Sequence, residues 1–190
     1  QDAPHTVTLT VTDVNGNQAN TSLAVYVVDS TKPTYVSAPF DVVLGSDGTA
    51  ATTPFHNDTC GVASIVSSPS EVDCADVGTN VTVNVIVVDV SDNTRFGSVV
   101  VSVFDELAPT VMAKNVSISL DGSGAASVAA EDLKQSASDN CGIDVLSSSA
   151  TSFGCADVGT VAVTLTGTDA SGNSAQSVGY VTVVDDSAAS

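Results

Sequence analysis

Valines alternate with polar residues along this chain. Val81, Val83, Val85 and Val87 fall on one side of an extended segment, as do Val161, Val163 and Leu165. A period of two is that of a strand with one buried face. Three turn segments follow such strands: Asp13-Val14-Asn15-Gly16-Asn17, Asp89-Val90-Ser91-Asp92-Asn93 and Asp169-Ala170-Ser171-Gly172-Asn173. Each turn leads into a strand that ends alike, at Val25-Tyr26-Val27-Val28-Asp29, Val101-Ser102-Val103-Phe104-Asp105 and Val181-Thr182-Val183-Val184-Asp185. Short alternating strands with closely spaced turn signals predict antiparallel sandwiches. The expected core includes Val25, Val27, Val83, Val85, Val101, Val103, Val163, Val181 and Val183.

A longer period overlies the alternation. Asp58-Thr59-Cys60-Gly61 with Cys74-Ala75-Asp76-Val77-Gly78-Thr79 returns as Asp139-Asn140-Cys141-Gly142 with Cys155-Ala156-Asp157-Val158-Gly159-Thr160, 81 residues later. Self-similarity at this period predicts an array of small domains. Residues 1–29 read as the last strands of an incomplete domain, 30–105 and 106–186 as complete domains, and 187–190 as the start of the next linker. The second copy carries extra residues near Ala129–Gln135, which predict one helical turn or a surface loop.

The 190 residues include 22 acidic and four basic side chains, for a net charge of −18. That balance repels nucleic acid and anionic membranes and attracts divalent cations. Each cysteine pair is locally spaced, which suggests the disulfides Cys60–Cys74 and Cys141–Cys155 and hence an extracellular, cell-surface or periplasmic setting. Zinc is the competing reading, although neither C-x-x-C spacing nor a suitable histidine accompanies the pairs.

The pattern Asp-x-x-Gly-Asn, strand, Val-Val-Asp and then Lys-Pro or Ala-Pro resembles the hyalin repeat (HYR), an immunoglobulin-like domain. The Asp-Asn-Cys-Gly and Cys-Ala-Asp-Val-Gly segments resemble repeats of large secreted bacterial surface adhesins. The resemblance implies an all-β chain of tandem immunoglobulin-like antiparallel β-sandwich domains in an extended array, with an extracellular adhesive or stalk role. Three departures stand out: Asp92 replaces the turn glycine, Thr59 replaces Asn140, and Ala189 stands where Pro33 and Pro109 predict proline.

In such a sandwich the loops bearing Asp29, Asp58, Asp89 and Asn93 converge at one junction. Asp105, Asp139, Asp169 and Asn173 converge at the next, with Glu106 nearby, and Asp92 is a further candidate at the first. Asp13, Asn15 and Asn17 form a further partial set. Converging carboxylates repel unless a cation neutralises them. Oxygen ligands in a flexible loop setting suit Ca²⁺, with an expected dissociation constant on the order of 10⁻⁴–10⁻³ M. Asp and Asn before Gly are also ordinary turn formers; it is the recurrence with a linker aspartate and a third loop that favours calcium.

Sequons at Asn20, Asn57, Asn80 and Asn115 are candidate glycosylation sites. His5 and His56 lack a companion nucleophile or oxyanion loop, and no phosphate loop or triad pattern occurs, so the expectation is a non-enzyme. Phe40, Phe55, Phe96, Phe104, Phe153, Tyr26 and Tyr180 read as packing residues. The function expected is a structural repeat segment of an adhesin, stalk or filament. Its partners would be neighbouring repeats, other copies in a filament, or a surface glycan or protein, without nucleic acid or membrane insertion. The rival readings are a glycan- or protein-binding module, spacer domains of a secreted enzyme, or a strand-complemented filament subunit.

Overall fold

The computed structural model describes residues 3–186; the expected linker start at 187–190, Ala189 included, lies outside the described residues. The strands in chain order are β1 (His5–Thr12), β2 (Gln18–Val25), β3 (Thr34–Tyr35), β4 (Phe40–Val43), β5 (Thr49–Ala51), β6 (His56–Asn57), β7 (Val62–Ser68), β8 (Glu71–Asp73), β9 (Asn80–Asp89) and β10 (Thr94–Phe104). There follow β11 (Thr110–Ala113), β12 (Val116–Ser119), β13 (Ala125–Ser127), the short helix α1 (Ala130–Leu133), β14 (Lys134–Ser138), β15 (Val145–Ser148), β16 (Ser152–Gly154), β17 (Gly159–Thr168) and β18 (Ser174–Val184).

The two sequence repeats build the same sheets. One is ordered β4-β10-β9-β7 and its counterpart β12-β18-β17-β15. In each, the long hairpin is antiparallel, and the short strand β4 or β12 joins the final strand in parallel. Each repeat also forms two small antiparallel pairs, β3-β6 and β5-β8 in the first and β11-β14 and β13-β16 in the second. The fold is all-β and immunoglobulin-like. No helix among the described residues is long and apolar enough to cross a membrane.

By packing, the chain divides into two compact units. One comprises the stretch through Ala38, Thr53–Ser70 and Thr82–Val99; the other comprises Pro39–Thr52, Glu71–Val81 and the stretch from Val100 onward. This division does not coincide with the sequence period. In the second unit, Val111, Leu120, Val128, Leu133, Phe153, Val163, Leu165, Val181 and Val183 form a continuous buried cluster. The extra residues of the second repeat form α1, and its last residue, Leu133, drops into that core.

Val83, Val85, Val87, Val101 and Val103 are buried as the alternation predicts. Val25 and Val27 are not: both are exposed, along with Val7, Leu9, Val11 and Leu23. The reason is that β1 and β2 pair only with each other, among the described residues, and no second layer faces them. Phe153 packs inside, whereas Phe55, Phe96 and Tyr26 are largely exposed and do not serve the packing role expected of them.

Candidate metal centres

An aspartate organises each long-hairpin turn. Asp89 Oδ1 accepts the Ser91 and Asn93 amides, both at 2.8 Å, and its Oδ2 accepts Asn93 Nδ2 at 2.8 Å. Asp13 receives the same bonds from Asn15 and Asn17, and Asp169 receives Asn173 N and Nδ2 at 2.8 and 2.9 Å. The fourth residue of each turn is left-handed: Gly16 at φ +87°, Asp92 at +67° and Gly172 at +91°. A short polar side chain tolerates that region, so Asp92 preserves the turn that its glycine counterparts make.

Two more aspartates approach Asp89 and Asp169 by local turns of their own. Asp58 Oδ1 accepts Cys60 N and Asp139 Oδ2 accepts Cys141 N, each at 2.9 Å. Asp29 Oδ1 accepts Thr31 N at 2.8 Å, and Asp105 Oδ1 accepts Leu107 N at 3.2 Å. Side-chain oxygens that bond an amide two residues on are a favoured turn device of Asp. Asn93 and Asn173 then draw the inter-repeat segment to the turn, donating Nδ2 to Asp29 O and Asp105 O, both at 3.1 Å.

The outcome is two matched groups. One carboxylate oxygen from each of Asp29, Asp58 and Asp89 lies within 4.8 Å of the others, and the same holds for Asp105, Asp139 and Asp169. Asp89, Asp105 and Asp169 are buried. Asp29 Oδ2, Asp105 Oδ2 and Asp139 Oδ1 are buried atoms with no hydrogen-bond partner. An unpaired buried charge is expensive. No basic side chain pairs with these aspartates: among the described residues the ion pair formed is Lys134–Glu131. Burial pushes the Asp89 carboxyl up, but the bonds from Asn93 and Ser91 outweigh it and hold the group below its ordinary value. The donor set is hard carboxylate oxygen, which fits Ca²⁺ and disfavours Zn²⁺.

Asn93 and Asn173 position carboxylates with their amide nitrogens. Asp13, Asn15 and Asn17 satisfy one another in an exposed turn and gather no further carboxylate. Asp92 and Glu106 stand outside both groups. Asn140 escaped the sequence reading. Its Nδ2 donates to Asp105 Oδ1 at 3.1 Å and to Gly45 O at 3.2 Å, while its Oδ1 is buried without a partner. The signal was the exchange of Asn140 for Thr59 between copies. All four sequon asparagines are exposed, but Asn80 Oδ1 accepts Ser102 Oγ and Asn115 Oδ1 accepts Tyr180 N.

The disulfide pattern corrects the expectation of Cys60–Cys74 and Cys141–Cys155. The bond formed is Cys74–Cys141, at a Cα–Cα distance of 5.3 Å, and Cys60 and Cys155 are free thiols. The physical reason is visible in the second repeat. Cys141 precedes β15, whose Val145 pairs with Thr168 at the far end of β17. Cys155 lies just before Gly159, where β17 begins. The ten residues of β17 separate these ends by roughly 30 Å, far beyond the ~4.4–6.8 Å that a disulfide spans. Beside the free Cys60, the Asp29 carboxylate pushes the thiol above its ordinary value of 9.0.

No family model matches the chain. It is similar to hyalin of Strongylocentrotus purpuratus, at 34% identity over 122 residues, which is 58% of this chain and 10% of hyalin. The chain therefore spans about a tenth of that relative's length. Among solved structures it is similar to human mucin-like protocadherin EC1-2, with a TM-score of 0.40, 14% identity, and coverage of 80% of this chain and 98% of that one. A structure of titin domains I67–I69 gives a TM-score of 0.42 at 11% identity, covering 95% of this chain and 75% of that one. The chain is an immunoglobulin-like β segment with a disulfide, similar over part of its length to hyalin, and the disulfide points to an extracellular setting.

Proposed function

We propose that this chain is a structural repeat segment of an extracellular adhesin, stalk or filament, in which residues 30–105 and 106–186 recur as modules and Ca²⁺ stiffens the passage from one to the next. The observation that carries the reading is the buried, unpartnered carboxylate oxygen at Asp29, Asp105 and Asp139, each beside two further aspartates. In the first group Asp29, Asp58 and Asp89 would hold the ion; in the second, Asp105, Asp139 and Asp169. Each group joins the last residue of one sequence repeat to two loops of the following one. A bound cation would therefore fix the linker against the module, and its removal would leave a self-repelling hinge. The role contains no catalytic step. The sequence resemblance suggests a large secreted bacterial adhesin as the parent, with neighbouring repeats as partners.

The test is calorimetry and thermal unfolding of the full chain, from chelator to millimolar Ca²⁺, with Asp169→Asn alongside. A ligand at about 100 times its dissociation constant stabilises the folded form by about 2.7 kcal/mol. The expected result is Ca²⁺ binding with a rise in Tm, and loss in Asp169→Asn of the heat due to the second group. Small-angle scattering should show a narrower spread of dimensions with Ca²⁺. Absence of binding heat and of any Tm shift would reduce both groups to turn-forming aspartates.

The exposed β1–β2 hairpin favours a second reading, completion of that sheet by further strands, including those of another copy. Concentration-dependent association measured by light scattering, abolished by Leu9→Asp, would support completion by another copy; a monomer at all concentrations would oppose it.

A further inference from the structure

The Cys74–Cys141 bond joins the second cysteine of one sequence repeat to the first cysteine of the next. Each free cysteine is the counterpart of one half of that bond and repeats its surroundings. At Cys74 the chain makes a 3₁₀ turn, Cys74–Asp76, in which Asp76 Oδ2 accepts the Asp73 amide at 3.1 Å. Cys155–Asp157 makes the same turn, with Asp157 Oδ2 accepting the Gly154 amide at 2.8 Å. The Cys74 sulfur lies 3.6 Å from Gly48 O, and the Cys155 sulfur lies 3.8 Å from Gly124 O. Gly48 and Gly124 share a left-handed φ, +76° and +77°, and a Cβ on either would come within 2.9 or 2.8 Å of the sulfur. The glycine cradle that receives a disulfide at Cys74 is thus already built at Cys155. At the other half, Asp58 holds the Cys60 amide as Asp139 holds that of Cys141. Gly61 and Gly142 follow at φ +110° and +97°. Both free thiols are exposed, as a bond to a neighbour requires.

We propose that Cys60 and Cys155 are half-cystines of an inter-repeat disulfide ladder. Cys155 bonds to the Cys-Gly cysteine of a following repeat of this pattern, and Cys60 bonds to the Cys-Ala-Asp cysteine of a preceding one. The chemistry requires a disulfide oxidant, for which oxidised glutathione serves. One cysteine thiolate attacks it, forming a mixed disulfide and releasing one glutathione thiolate. The second cysteine thiolate then attacks the mixed disulfide at the protein sulfur, closing the inter-repeat bond and releasing the second glutathione. Two protein thiols are oxidised, their two protons pass through solvent to the released glutathione thiolates, and one glutathione disulfide is thereby reduced to two thiols. The inference rests on the equivalence of the repeats and not on calcium, and its test is run in chelator, so either can fail alone.

The test extends the chain with its own repeats. In one form a copy of residues 30–105 follows Asp185; in the other a copy of residues 30–80 precedes His5, where the 76-residue offset between Asp13 and Asp89 sets the register. Each is oxidised with a glutathione redox pair, alkylated, digested unreduced and mapped by mass spectrometry, with circular dichroism reporting whether the added segment folds. In the unextended chain, alkylation should mark Cys60 and Cys155 but neither Cys74 nor Cys141. The C-terminal extension should abolish labelling of Cys155 and yield a peptide linking it to the copy's Cys60. The N-terminal extension should do the same for Cys60 and the copy's Cys74. Free, fully labelled Cys155 and Cys60 in the folded extensions would overturn the proposal, as would closure of an added or original repeat through its own two cysteines.

Discussion

Leu9 of β1 and Leu165 of β17 occupy the same place in their hairpins, four residues before the turn aspartate, yet Leu9 is 61% exposed and Leu165 is 0% exposed. The pairs Val7 and Val163, Val25 and Val181, and Val27 and Val183 divide the same way. Both hairpins are antiparallel and in continuous register, and Asp13 and Asp169 make the same bonds to Asn17 and Asn173. Alternation and an aspartate turn therefore suffice to write a hairpin and its register. Burial needs a facing layer, and only β17–β18 has one. It is supplied by Val111 of β11, Phe153 of β16, Leu133 of α1 and the loop residues Leu120 and Val128. A two-stranded ribbon alone is marginal in water.

The contrast can be pressed hardest at the cross-link. The unit holding β17–β18 contains Cys74–Cys141, which closes a separation of 67 residues, whereas no cysteine lies in β1–β2. Replacing both bonded cysteines by serine should destabilise that unit by about 4 kcal/mol in the loop-entropy account, read as a lower urea midpoint by circular dichroism. Amide exchange of β1–β2 should stay as it was. An unchanged midpoint would mean that the bond constrains little. A smaller difference is expected from the core itself. Leu165→Ala should cost about 3 kcal/mol, and Leu9→Ala should stay within about 0.5 kcal/mol, both from urea unfolding. Equal losses would show that β1–β2 is covered in solution.

The smallest effect concerns the turn that both hairpins share. Bonds from Asn17, side chain first, hold the Asp13 carboxyl below its ordinary value of 3.8. A depressed folded value means that the turn's contribution is present above the unfolded value and is lost as pH falls through the folded one. The carboxyl carbon of Asp13 should thus titrate by NMR with a midpoint below 3.8, and the Asn17 amide shift should follow it. A midpoint at or above the ordinary value would show that the Asn17 bonds do not hold this turn in solution.

Much of the candidate site was legible before folding was considered. Asp29, Asp58 and Asp89 recur as Asp105, Asp139 and Asp169, and their convergence follows from where the strands must start and end. Asn140 was not legible, because its bonds to Asp105 and Gly45 join residues 35 and 95 positions apart. The cysteine pairing was not legible because a spacing of 14 positions looks local, although the residues between Cys141 and Cys155 include β15 and β16, which carry the chain away from Cys141.

Local chemistry, then, was determined by the sequence alone: strands from period-two alternation, turns from Asp and Asn two to four residues from the amides they bind, and the repeat from its returning segments. These depend on neighbours along the chain. Tertiary structure decided which apolar face is covered, which cysteines meet and which carboxylate oxygens are left buried without a partner. Each of those depends on distances between strand ends, and strands of ten or eleven residues such as β17 and β18 place sequence neighbours far apart and sequence-distant groups in contact.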